Sequence, residues 1–243
     1  DGNEKKYLSH CINDGWISTA GKFVDKFENK LKSYVDAKFA TSFINGTSAL
    51  HIGLKLLKLN RGDEIIVPAL SWPTTVWPII QLGFVPVFVD SNIDDLSIDF
   101  KKAKKAVTKK TKAIFMIHVL GNSANMDEAI KFCKKFNLIL IEDCCESLGS
   151  HFKKKHIGNF GMAGSFSFYF AHHICTIEGG AICTNDKNLA NDLKSFRAHG
   201  WIRNRSDRAN FAKKYKLLDE KFLFVTTGYN VRPTEINAAM GLS

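Results

Sequence analysis

From residue 39 onward, short apolar, β-branched or aromatic runs alternate with longer segments of helical period, and no other feature restricts the fold as much. A chain that returns to an extended run after each helix builds βαβ units, whose parallel strands are buried on both faces. The strands predicted lie at 64–67, 85–89, 113–117, 138–141 and 165–169, and the helices between them at 48–59, 74–82, 100–107 and 127–136. The pattern is an α/β fold with a mostly parallel central sheet, and ligands of such sheets bind at the carboxyl ends of the strands. Residues 1–38 read differently, with a Gly15-Trp16-Ile17-Ser18 turn before an amphipathic helix at 22–34. The expected organisation is an N-terminal segment, 1–38, and one domain, 39–243, whose last amphipathic stretch (234–243) stops without a capping signal, as in a fragment.

The composition excludes several classes. With 45% hydrophobic and 24% charged residues in 243, the chain is globular and neither disordered, collagen-like nor a coiled coil. No stretch approaches the roughly 18 apolar residues of a membrane helix, and the start lacks the apolar core of a signal peptide, so a cytoplasmic location without membrane attachment is expected. Six cysteines form no CxxC pair, which argues against a disulfide framework or structural zinc. The net charge, 34 − 24 = +10, raises a polyanion partner. The excess sits in lysine runs such as Lys101-Lys102-Ala103-Lys104-Lys105 without interleaved aromatics, so solvated faces are expected and nucleic acid is not.

Three segments could carry chemistry. Asn45-Gly46-Thr47-Ser48 follows an apolar run and opens a helix, which suits either a phosphate on the helix N-terminus or a plain N-cap. Leu138-Ile139-Leu140-Ile141 runs into Glu142-Asp143, and strand alternation turns only one of the two carboxylates toward a given face. A carboxylate there suits a cation such as a protonated pyridinium nitrogen, or a strand end or helix cap. Ser167-Phe168-Tyr169-Phe170-Ala171-His172-His173 leads into Glu178-Gly179-Gly180; a catalytic histidine fits, and so would a metal site recruiting Cys144, Cys145 or Cys175, although no ligand spacing is diagnostic and no metal is expected. Gly158-Asn159-Phe160-Gly161-Met162-Ala163-Gly164 precedes a strand instead of following one, which rules out a Rossmann loop.

Taken in order, residues 15–21, Asn45–Leu50, Pro68-Ala69-Leu70-Ser71-Trp72, Glu142-Asp143, Ser167–Gly180 and Gly228-Tyr229-Asn230-Val231-Arg232 resemble the DegT/StrS family of pyridoxal-phosphate-dependent sugar aminotransferases and dehydratases, over nearly the whole chain. The resemblance implies the large domain of the fold-type I aminotransferase architecture, with a small C-terminal domain beyond it. It implies that Gly46, Thr47 and Ser167 hold the cofactor phosphate, with Ser48 beside them among the cofactor-binding residues, that Trp72 stacks on the pyridine ring, that Asp143 pairs with the ring nitrogen and that Glu146 approaches the ring hydroxyl. It further implies a homodimer, with Asn230 reaching the phosphate of the neighbouring subunit.

The departure is at position 172. The family's aminotransferases carry there, six residues before the Glu of Glu-Gly-Gly, the lysine that tethers the cofactor, and this chain carries His172. Imidazole has no primary amine and forms no Schiff base with the cofactor aldehyde. His172 resembles the base of the family's 3-dehydratases, which remove the C3 hydroxyl of nucleotide-linked 4-keto-6-deoxyhexoses. The implied partners are pyridoxal or pyridoxamine 5'-phosphate, a nucleotide-linked keto sugar and an amino donor such as glutamate. Because no cysteine follows Cys183, the iron–sulfur subgroup of these dehydratases is the poorer match. The alternatives are a sugar aminotransferase using another amine, and a non-catalytic relative that binds the cofactor or a sugar nucleotide.

Overall fold

The structure, a computed structural model, describes residues 2–243. Among them nine strands form: β1 (Phe39–Phe43), β2 (Glu64–Pro68), β3 (Val85–Val89), β4 (Thr111–Ile117), β5 (Ile139–Asp143), β6 (His151–Phe152), β7 (Lys155–His156), β8 (Ala163–Ser167) and β9 (Gly180–Thr184). Seven of them make the central sheet in the order β1-β9-β8-β5-β4-β2-β3, and β6 and β7 form a separate short hairpin. From β3 through β8 every pairing is parallel, and β9 runs antiparallel to both β8 and β1. The mostly parallel α/β sheet expected from the sequence is therefore present.

Among the described residues nine α-helices accompany it: α1 (Glu4–Asn13), α2 (Phe23–Tyr34), α3 (Gly46–Lys55), α4 (Pro73–Gln81), α5 (Phe100–Ala106), α6 (Met126–Phe136), α7 (Lys187–Phe196), α8 (Arg208–Lys214) and α9 (Glu235–Gly241). Their starts follow from local chemistry: Asn45, Asp99, Asn125, Asp186 and Thr234 each accept an amide of the first turn, and Pro73 opens α4 where no donor is needed. Strand alternation then sorts the core. Ile66, Ile114, Met116 and Leu140 meet Phe100, Ala103, Ala129 and Phe132 of α5 and α6. Their neighbours Ile65, Val67, Phe115 and Ile141 meet Leu50, Leu54, Val76 and Ile79 of α3 and α4 on the other face.

Differences from the sequence-based expectation are local. The helices α1, α7 and α8 and the strands β6, β7 and β9 were not foreseen, and β1 was read only as an apolar run. The aromatic strand expected at 165–169 leaves the sheet at Ser167, because the Phe168 amide donates to Gly179 O and its carbonyl accepts from the Thr176 amide, closing a loop that carries the paired histidines. The N-terminal helices are part of the core: Phe23, Val24, Phe27 and Leu31 pack on Phe166, Phe168 and Ala181 together with Ala238 and Ala239 of α9. Among the described residues no helix is long and apolar enough to cross a membrane.

Candidate active site

A cavity of about 1160 Å³ opens at the carboxyl ends of β2, β4, β5 and β8 and reaches the N-terminus of α3. Seven of the nine residues singled out from the sequence line it: Gly46, Thr47, Trp72, Asp143, Glu146, Ser167 and His172. Ser48 and Asn230 do not. The Ser48 amide is taken up by Asn45 Oδ1 at 2.8 Å, so the plain N-cap is present, while Asn45, Gly46 and Thr47 face the cavity. Asn230 is exposed, and its side-chain oxygen accepts from Arg232 Nε and Nη2 at 3.1 and 3.0 Å. Its implied role points to a neighbouring subunit.

The corner of the cavity between α3 and the end of β8 is built by close approach of backbone. The first amides of a helix lack intrahelical acceptors, so the Gly46 and Thr47 N–H groups are available to a ligand. A Cβ on Gly46 would stand 3.0 Å from Ser167 Cβ, and one on Gly180 would stand 2.5 Å from the Gly46 amide nitrogen. A larger residue at position 46 would push α3 from the end of β8, and one at position 180 would push it from the start of β9.

The two carboxylates at the end of β5 diverge as strand alternation requires. Glu142 is fully buried on the face away from the cavity, where Oε1 accepts the Phe160 and Gly161 amides and Oε2 the Gly158 amide, each at 2.7 Å. His118 Nε2 lies 3.3 Å from the same Oε2. The glycine-rich segment that is not a dinucleotide loop is thus a wrap around this side chain. His118, Glu142 and Cys144 have ligand atoms within 4.8 Å of one another, but the Glu142 oxygens are already bonded, and the arrangement does not bring Cys144 to the paired histidines.

Asp143 points the other way, into the cavity, with 5% of its surface exposed. Oδ2 accepts from the Thr75 hydroxyl at 2.7 Å; Oδ1 accepts from the Cys145 amide at 3.1 Å and the Ser165 hydroxyl at 3.3 Å. All three donors are neutral, and neither lysine nor arginine is among the described residues lining the cavity. A buried carboxylate without a cation is costly, so this arrangement calls for a cationic ligand.

Trp72 is the N-cap residue of α4, in extended backbone, and its ring is 70% exposed at the cavity rim. Glu146 Oε2 accepts from the Leu120 amide at 3.1 Å, tying the segment after β4 to the cavity wall. His172 sits in a turn closed by its amide on Tyr169 O at 2.9 Å, with the Tyr169 ring 5.9 Å away edge-on. Its Nδ1 is buried and makes no hydrogen bond. Burial pushes the imidazole below its ordinary value; Glu146 and Asp143 oppose the shift and His173 adds to it. The ring is therefore a neutral base at neutral pH.

Sequence reasoning missed Thr75 and His118, both of which line the cavity, and gave Cys145 and Tyr169, which line it too, no part in binding the cofactor. The place of Thr75 in the first turn of the helix that Trp72 opens is readable, but its partner, 68 positions away, is not.

The chain belongs to the DegT/DnrJ/EryC1/StrS aminotransferase family, which it matches over residues 1–243. It is 40% identical over 250 residues to GDP-4-keto-6-deoxy-D-mannose 3-dehydratase of Escherichia coli O55:H7, covering 100% of this chain and 64% of that protein. It is 37% identical over 242 residues to GDP-perosamine synthase of Escherichia coli O157:H7, covering 100% of this chain and 62% of the relative. A solved GDP-4-keto-6-deoxymannose-3-dehydratase with a trapped PLP-glutamate geminal diamine superposes with a TM-score of 0.90 at 36% identity, over 100% of this chain and 64% of that one. The chain thus spans less than two thirds of the length of these relatives.

Proposed function

We propose that this chain forms the cofactor-binding part of a pyridoxal-phosphate-dependent 3-dehydratase acting on a nucleotide-linked 4-keto-6-deoxyhexose. The observation that carries the reading is His172, a neutral imidazole in the cavity, with no lysine among the described lining residues. The relatives include a dehydratase and an amine-transferring synthase, and the second chemistry needs a side-chain amine that this cavity lacks.

The residues present fit the cofactor. The Gly46 and Thr47 amides and the Ser167 hydroxyl suit a phosphate, and the glycines at 46 and 180 leave the space for that cradle. The buried Asp143 carboxylate suits a protonated ring nitrogen, Trp72 offers an exposed ring to stack on a pyridine, and Glu146, on the cavity wall, would meet the ring hydroxyl. Asn230 serves the phosphate of a neighbouring subunit, which makes the working unit a homodimer. Bound in its amine form, the cofactor supplies a nucleophile for the 4-keto carbon and an electron-withdrawing ring.

The chain's own residues then do three things. Asp143 holds the proton on the ring nitrogen, which keeps the ring electron-poor. The neutral His172 imidazole accepts the cofactor methylene proton and, as imidazolium, returns a proton to the departing C3 hydroxyl. Ser167 and the α3 amides keep the cofactor from leaving, because no covalent tether does so. Glutamate is the expected amino donor, in keeping with the glutamate adduct trapped in the related dehydratase.

The test uses the complete protein. His172→Asn is expected to bind pyridoxamine phosphate and to lose solvent exchange of its methylene proton; full turnover by this variant would sink the assignment. Borohydride reduction followed by peptide mapping decides the aminotransferase alternative, since a cofactor-modified lysine would favour it.

A further inference from the structure

Asp143 is oriented by its hydrogen bonds, and these are unequal. Ser165 Oγ lies 3.3 Å from Oδ1 and also 3.4 Å from Glu142 O, so one long bond is shared between two acceptors. The Cys145 amide reaches the same Oδ1 at 3.1 Å. Oδ2, by contrast, has a single protein donor, the Thr75 hydroxyl, at 2.7 Å. Both partners are buried, with Thr75 1% and Asp143 5% exposed.

The placement of Thr75 gives this bond a second consequence. Thr75 lies in the first turn of α4, and its amide donates to Trp72 O at 3.0 Å. Trp72, the N-cap, carries the exposed ring on the cavity rim. One helical turn therefore joins an aromatic ring available to stack on a ligand with the donor that sets the rotation of the carboxylate at the cavity floor.

We propose that Thr75 is a positioning residue for the cofactor ring: through its hydroxyl it turns Asp143 so that the remaining lone pair of Oδ2 meets the ring N–H, and it fixes Trp72 relative to that carboxylate. The inference rests on the pyridoxal-phosphate reading and concerns a residue that acts through Asp143 without touching the reacting atoms. A short hydrogen bond to a carboxylate is directional and stronger than one between neutral groups, so losing it loosens the carboxylate's rotation.

The experiment measures equilibrium binding, by fluorescence titration of the complete protein, of pyridoxamine 5'-phosphate and of its 1-deaza analogue, in which CH replaces the ring nitrogen. Wild type is expected to favour the natural compound at least tenfold. Thr75→Val, which keeps shape and removes the hydroxyl, is expected to weaken the natural compound by about tenfold while leaving the analogue within about threefold. Thr75→Ser, which restores the hydroxyl, is expected to return both to near wild type. If Thr75→Val weakens both compounds equally or neither, or if Thr75→Ser behaves like Thr75→Val, the positioning role is overturned. If wild type binds neither compound, the cofactor reading itself falls, and the inference with it.

Discussion

Glu142→Gln is nearly isosteric and removes one charge, yet it is expected to be among the more damaging single substitutions in the chain. The Glu142 carboxylate accepts three backbone amides at 2.7 Å, two on Oε1 and one on Oε2, and His118 Nε2 approaches Oε2 at 3.3 Å. His118 Nδ1 accepts the Ala124 amide, which puts the ring proton on Nε2 and makes His118 a donor. A glutamine has one acceptor oxygen. If it serves Phe160 and Gly161, its NH2 group faces the Gly158 amide and His118; if it is flipped, the NH2 group faces Phe160 and Gly161. A change of His118 tautomer only moves the conflict to the Ala124 amide. At least two buried donors lose their acceptor in every arrangement, and at about 1–3 kcal/mol each the loss is about 2–6 kcal/mol. A central value of about 4 kcal/mol corresponds to a melting temperature lower by about 8–16 °C in a protein of this size. Urea unfolding followed by far-UV circular dichroism measures it. A loss below about 1 kcal/mol at unchanged slope would refute the reasoning, because the Gly158–Gly161 wrap would then not depend on the carboxylate.

Three further outcomes are expected. Arg197→Ala removes the buried partner of Glu28, which also accepts the Ser42 amide and hydroxyl; a stability loss of about 3–5 kcal/mol is expected at pH 7. Burial works against the Glu28 charge, but Arg197, Lys194 and the Ser42 amide outweigh it and hold the carboxyl below its usual range, so the pair's contribution is present above the unfolded-chain value and is lost as pH falls through the folded one; a penalty for Arg197→Ala that does not shrink on acidification would contradict this. The acidic limb of kcat/KM for the complete enzyme should have its midpoint below the ordinary histidine value of 6.5, because burial lowers His172, and a midpoint above it would exclude His172 as the base. Titration of the native protein with a thiol reagent should show one fast cysteine, the exposed Cys175, since burial pushes Cys133 up to about 12 and also raises Cys11, Cys144, Cys145 and Cys183; a second fast thiol would contradict the burial pattern.

Where the sequence was legible, a periodic signal and a local chemical signal coincided. The strand at 85–89 and the helix at 100–106 were readable because apolar period, cap and turn agree there. The strand β9 was not, because Gly180-Ala181-Ile182-Cys183-Thr184 is short and joins the sheet antiparallel, outside the βαβ rhythm. In the cavity, Gly46, Thr47, Asp143 and His172 stand at positions a sequence motif can mark. Thr75 and His118 owe their roles to contacts with residues 68 and 24 positions away, and no local pattern reports such contacts.

The pair Glu142-Asp143 ties the fold to the chemistry. In a strand buried on both faces, two adjacent carboxylates must point in opposite directions, and each then needs its own compensation. Glu142 finds it within the chain, in three amides and a histidine, and thereby shapes the segment that precedes β8. Asp143 receives only neutral donors and keeps an open side toward the cavity. The carboxylate that the protein satisfies is structural, and the one it leaves short of a cation is the one that can attract a ligand. That asymmetry also explains why Thr75 matters: with no protein cation to fix the rotation of Asp143, a hydroxyl from the neighbouring helix sets the direction in which the carboxylate can bind.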